Sequence, residues 1–308
     1  MQAESLLKFS MARNILSILA ALAILSPEPA RAQAAFIPKM ERDIAAQLVP
    51  HKALYDIRMT SKSSASQVVN ISGKMYFEWR PACDAWATDH RFTLNYEYVD
   101  SPATRVTSDF STYEPFDGKS LDFSARRRRD GELFEEVRGR AEMAVDGAGS
   151  AVYSLPGAVS HDLPSGALFP TGHTIALLKA IGEGRKFFSA VVFDGSDEEG
   201  PVEINSVVGR AVKAPPRPAK PGDAVDSKLL RSPAWGVRMA FFPLKYAKAG
   251  PDYEMNVVFH ENGVISDMMV DYHDFSVTQK LVALGRLKAV DCKEKAAPPP
   301  SGRGAEKK

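Results

Sequence analysis

The chain has 308 residues, 44% hydrophobic and 25% charged, which is the composition of an ordinary globular protein. Its 39 Lys and Arg nearly balance 38 Asp and Glu. That argues against a dedicated nucleic-acid binder, because neutralising phosphates needs a basic surplus on one face. After the N-terminus no stretch reaches the roughly 18 consecutive apolar residues of a membrane-spanning helix.

The first 34 residues read as a cleavable signal peptide. Lys8 and Arg13 make a positive start, Ile15 to Leu25 an apolar run too short to span a bilayer, and Pro27 and Pro29 break any helix. Small residues in Ala30-Arg31-Ala32 and Ala32-Gln33-Ala34 fit signal peptidase, so cleavage after Ala32 and after Ala34 both satisfy the pattern; Met11 offers a second start. A buried N-terminal helix would need a polar side, and the run offers only Ser17 and Ser26. Export is the expectation, and loss of the leader leaves 36 basic against 36 acidic residues.

Glu41 to Val49 predicts a short helix, and from there the dominant period is two. Ala53, Tyr55, Ile57 and Met59 share one face of the segment from His51 to Met59. Val69, Ile71, Gly73, Met75 and Phe77 continue the alternation to Trp79, and Phe92, Leu94, Tyr96 and Tyr98 follow the Cys83 turn. Aromatic and branched residues at this spacing, with turns between, predict an antiparallel all-β fold. A hairpin turning at Asp130-Gly131 sets Arg129 against Glu132 and Arg126 against Glu135. The run Arg126 to Arg129 would attract anionic lipid if unpaired; cross-strand pairs worth about 0.2 to 1 kcal/mol each are the preferred reading.

Thr171 is placed to cap a helix after Pro170, with Ile175, Leu178 and Ile181 at helical spacing and Gly182 and Gly184 to stop it. Residues 214–233, rich in proline and charge, read as a surface loop, because strand patterning resumes at Trp235. Asp252 to Tyr272 reads as a hairpin with a two-residue Asn262-Gly263 turn. Its register sets Tyr253 against Tyr272, Met255 against Val270, Val257 against Met268 and Phe259 against Ser266. One face then carries Met255, Phe259, Met268 and Tyr272, and the wet face carries Glu254, Asn256, His260, Asp267 and Asp271. The tail from Lys293 to Lys308 reads as disordered, leaving a single domain over 35–292.

The mature part holds two cysteines, Cys83 and Cys292. In an exported chain an even, minimal count points to one disulfide; two buried thiols are the alternative. A bridge would enclose most of the domain, with a chain-entropy contribution of up to about 5 kcal/mol, and would lay the first and last strands side by side. Motifs for nucleotide, zinc, redox and serine-hydrolase chemistry are missing. His161, Asp162 and His173 flank the segment feeding the helix, with His173 read as a polar anchor rather than a base. Asp194 to Gly200 is acidic like a calcium loop but lacks the ligand spacing, so it reads as a hairpin turn. Tyr272, His273 and Asp274 are strand neighbours and point to opposite faces. No metal site and no cofactor are expected.

Several segments resemble one family: Pro50 to Tyr55, Gly73 to Glu78 leading to Cys83, Leu163 to Thr174 (LPSGALFPTGHT), Val192 to Asp197, and Asn262-Gly263-Val264 through Phe275. Together they resemble the EipB family of periplasmic cell-envelope integrity proteins, long catalogued as a domain of unknown function, over roughly residues 48 to 292. The resemblance implies one antiparallel sheet wound into a β-spiral or open barrel with an α-helix across it. It implies a disulfide between Cys83 and Cys292, a periplasmic location, a role in resistance to envelope stress and no enzymatic activity.

Three functions are weighed. The first is a non-enzymatic periplasmic protein that maintains the envelope through protein contacts. The second is a carrier holding a lipid or a lipoprotein's acyl chain in the concave face, on Met255, Phe259, Met268 and Tyr272. The third, a hydrolase, has the least support. The expected partner is an envelope protein or a lipid.

Overall fold

The computed structural model describes residues 42–212, 224–245, 250–288 and Cys292. The expected signal peptide, the start of the 214–233 segment and the tail from 293 lie outside the described residues.

Helix α1 (Arg42–Gln47) precedes β1 (His51–Lys62), β2 (Val68–Ala82), β3 (Ala85–Tyr98), β4 (Thr104–Pro115), β5 (Ser120–Arg129), β6 (Glu132–Met143), β7 (Gly149–Leu155) and β8 (Ser160–Leu163). After α2 (Pro170–Gly182) come β9 (Phe187–Val192), β10 (Val202–Ala211), the short β11 (Ala224–Val225), β12 (Ala234–Pro243), β13 (Tyr253–His260), β14 (Ile265–Tyr272) and β15 (Phe275–Arg286). Alternation dictates these strands locally: in β1, His51, Ala53, Tyr55 and Ile57 are all buried while Lys52 and Arg58 face solvent.

The strands form one sheet in the order β8-β7-β6-β5-β4-β3-β2-β1-β15-β14-β13-β12-β10-β9. The first strand therefore lies at the centre, hydrogen-bonded in antiparallel to the last. One wing is laid down by successive hairpins from β1 to β8; the other returns from β9 to β15. The sheet is all-β, essentially antiparallel and not closed, an open barrel whose two edges are consecutive in the chain. The segment joining those edges carries α2. Its Leu168 donates to the Val191 carbonyl at 2.8 Å and accepts from the Phe193 amide at 3.0 Å, so the connection itself laces the edge of β9.

The Asn262-Gly263 hairpin keeps the expected pairing partners along most of its length, whereas the Asp130-Gly131 hairpin keeps them only beside its turn. Tyr253 faces Tyr272, Met255 faces Val270 and Val257 faces Met268. The turn is longer than two residues: the Gly263 amide donates to the His260 carbonyl and the His260 amide to that of Val264, both at 2.9 Å, with Gly263 at φ +85. Phe259 accordingly faces Ile265 rather than Ser266, and a bulge between Val258 and Phe259 restores the register beyond it. In the other hairpin Arg129 does face Glu132, but a bulge between Arg127 and Arg128 sets Arg126 against Glu136 and Arg127 against Glu135. His273 and Asp274 lie outside the strands, as the turn between β14 and β15, and both are exposed.

Two further expectations are corrected. His260 is fully buried, not wet: its ring shares a hydrogen bond with Ser266 at 2.9 Å, and Ser232 of the preceding segment reaches its other nitrogen at 3.4 Å. That segment is the described part of 214–233, which is no plain surface loop. β11 runs parallel to the end of β15, and a helical turn at Leu229–Arg231 buries Leu229 and Leu230 while the Leu229 carbonyl accepts from the Asn262 amide. Proline and charge set the average character of such a stretch; two leucines decide where it packs.

The core has two parts. The larger joins Tyr55, Ile71, Met75 and Trp79 to α2 and to Val257, Phe259 and Met268. The smaller, under β5 to β8, is built on Leu121, Phe123, Val137, Tyr153, Phe169 and Phe193.

Candidate functional site

The concave face is the expected site, and its four candidates divide in two. Phe259 and Met268 are each 5% exposed and belong to the core beside α2. Met255 is half-buried, and Tyr272 is 43% exposed. The inner face is therefore closed toward the Asn262-Gly263 turn and reachable at the opposite ends of the strands. There four rings cross β12 to β15 in a row. Phe241 stacks on Tyr253 at 4.3 Å, Tyr253 lies 5.7 Å from Tyr272, and Tyr272 lies 5.0 Å from Phe275. Burial raises the phenol pKa of both tyrosines above its ordinary value, so they stay neutral donors.

The helix start holds a group that the motif search missed. Thr171 does not cap α2; the cap position is Phe169, with no side-chain bond. Instead the Thr171 and Gly172 amides donate to the two carboxylate oxygens of Glu114, at 2.7 and 2.8 Å, from β4. These are two of the amides that a helix start leaves without partners, and an anion suits that end of the helix dipole. Glu114 is 1% exposed, and burial outweighs the two amide bonds, pushing its pKa up from 4.5 to about 7. One signal was available: β4 alternates, and Glu114 falls in the inward row with Phe110 and Thr112. At the other end Gly184, at φ +75, donates to Ile181 and Arg185 to Ala180, both at 2.9 Å, which closes the helix.

The other candidates do not assemble. His173 is buried on α2 with its ring 5.7 Å from Phe188, its Nε2 bonds to nothing among the described residues, and burial pushes its pKa down to about 4. It is thus neither the expected polar anchor nor a base. His161, on β8, donates a hydrogen bond from Nε2 to the Glu198 carbonyl at 3.0 Å. Asp194 is exposed, and the Asp194 to Gly200 loop uses its carboxylates on its own backbone: Asp194 accepts from Ser196 and Asp197 from Glu199, both at 2.8 Å. The loop folds onto the second core, where the Tyr153 hydroxyl donates to Asp197 at 2.6 Å. Among the described residues no three His, Cys, Asp or Glu side chains gather as metal ligands would.

Cys83, in the turn between β2 and β3, is bonded to Cys292 beyond β15, with Cα atoms 5.4 Å apart and a sequence separation of 209. The EipB-like family model matches residues 42–288. The chain belongs to the EipB-like family. Its curated relatives include the cell envelope integrity protein EipB of Brucella abortus (strain 2308), 33% identical over 243 residues that span 78% of this chain and 85% of the relative. A crystal structure from Brucella abortus, described as a beta-barrel-like protein of a domain of unknown function, superposes with a TM-score of 0.71. It shares 31% identity and covers 78% of this EipB-like chain and 99% of its own. The LPSGALFPTGHT segment thus has a physical role in this EipB-like fold: it laces β9, carries Phe169 into the second core and presents two amides to Glu114.

Proposed function

We propose that this EipB-like chain is a non-enzymatic periplasmic protein that maintains cell-envelope integrity through contact with another envelope protein. The observation that carries this reading is the row Phe241, Tyr253, Tyr272 and Phe275, half-open on the rim of an inner face whose deeper part is already filled by Phe259 and Met268. Tyrosines with an apolar body and a polar tip are the side chains that anchor protein contacts. The Brucella relative, a cell envelope integrity protein by name, supports the envelope setting, and the N-terminal signal pattern supports export. Histidines that are buried or scattered, and the lack of a gathered nucleophile and base among the described residues, support a role without chemistry.

The second reading, a carrier for an acyl chain, rests on Met255 and Tyr272 remaining reachable at the same rim. A Tyr272→Ala, Phe275→Ala double variant, folded as judged by melting, should fail to restore detergent resistance to a strain lacking the gene. A photo-crosslinker placed at Tyr272 should give one recurrent protein adduct. Full complementation by the double variant refutes the contact reading; native mass spectrometry showing a bound lipid at stoichiometric level replaces it with the carrier.

A further inference from the structure

The outer face of the other wing carries a groove of about 700 Å³ over β2 to β7. Residues opposite one another on adjacent strands share a face, so its walls can be read from the register. A central row runs Asp89, Ser111, Ser124, Arg138. On one side stand Arg80, Tyr113, Asp122 and Arg140; on the other side of the row Arg91, Asp109 and Arg126, the last opposite Glu136, line an adjoining hollow. Long side chains flank two serines, which leaves a trough crossing the strands. Five interstrand spacings make it roughly 24 Å long.

The walls satisfy themselves. Arg140 pairs with Asp122 at 2.8 Å and Glu142 at 2.7 Å, Arg126 with Glu136 at 2.7 Å, and Arg80 with Glu78 at 3.0 Å and Asp89 at 3.6 Å. Arg138 is different: it is exposed, lines the groove, and its guanidinium has no partner among the described residues. The half-buried Tyr113 ring is held in the groove by the bond from its hydroxyl to Asp84.

This set of groups selects a chemistry. Serine hydroxyls donate and accept, as sugar hydroxyls require. Fixed guanidinium–carboxylate pairs offer bidentate partners to neighbouring hydroxyls, and an aromatic face suits the C–H side of a pyranose ring. An unpaired guanidinium fits a carboxylate. An apolar ligand would strip water from all of these without replacing it. We propose that this groove binds a carboxylate-bearing saccharide chain, with Arg138 on the carboxylate and Ser111 and Ser124 on ring hydroxyls. The site faces away from the aromatic rim, so either assignment can fail while the other stands.

The test uses the full mature chain, titrated at low salt by calorimetry with tetragalacturonate and, in parallel, with maltotetraose. Tetragalacturonate should bind at least about tenfold more tightly than the neutral sugar. Arg138→Ala should lose that preference without a change in melting temperature, and Arg128→Ala, outside the groove, should keep it. Should Arg138→Ala melt early, Arg138→Gln decides in its place. Equal affinity for both sugars, unchanged binding by the Arg138 variant, or no binding of tetragalacturonate at millimolar concentration overturns the proposal.

Discussion

Glu114→Gln tests the buried cap of α2 by its dependence on pH. The folded chain releases this proton near pH 7 and the unfolded chain near 4.5. Between those values the folded state binds more protons, so the contribution to stability is full below about pH 4.5 and is lost as pH rises through about 7. The gap between 4.5 and about 7 corresponds to about 3 kcal/mol. Glutamine keeps the size and one acceptor oxygen but cannot titrate. His90 and His173, both held near 4 by burial, give an opposite slope, which cancels in the difference between the two proteins. Urea unfolding with the disulfide intact, at intervals from about pH 5 to about pH 8, should show wild type losing about 2.5 kcal/mol relative to Glu114→Gln. Parallel curves would refute the burial of an ionisable cap.

Three further outcomes follow from particular contacts. Cys83→Ser opens a loop of 209 positions, and the loop-closure relation puts the loss at up to about 5 kcal/mol; melting by several degrees less, matched by wild type in reductant, checks it, and identical melting refutes it. Gly195→Ala forces a β-carbon to 2.2 Å from the Phe123 ring at a φ of +68, so it should cost about 2 to 4 kcal/mol by urea unfolding. Phe259→Ala should cost about 3 to 5 kcal/mol, whereas Tyr272→Ala should cost under about 1.5, as half-exposed rim residues do; similar losses at both positions would show that the rim is core.

Strand faces were legible because parity is local. His51 to Ile57 needs nothing beyond its own alternation to declare which side is buried, and Asn262-Gly263 marks a turn by the backbone that glycine permits. The family motif and the cysteine count were likewise readable from the chain. What alternation cannot specify is a bulge, because one inserted residue near Phe259 or Arg127 leaves the pattern on either side intact.

The amino-acid order by itself determined the all-β class, the inward rows, the helix between the wings and its glycine stop, since each depends on neighbours a few positions apart. Only the tertiary structure decided that Glu114 caps a helix 57 residues away, that Leu229 and Leu230 are buried with the Leu229 carbonyl on Asn262, and that Met268 is sealed while Tyr272 is open. Those outcomes depend on which strands curl toward one another, and the energy that decides them is burial and pairing between segments that no local window contains.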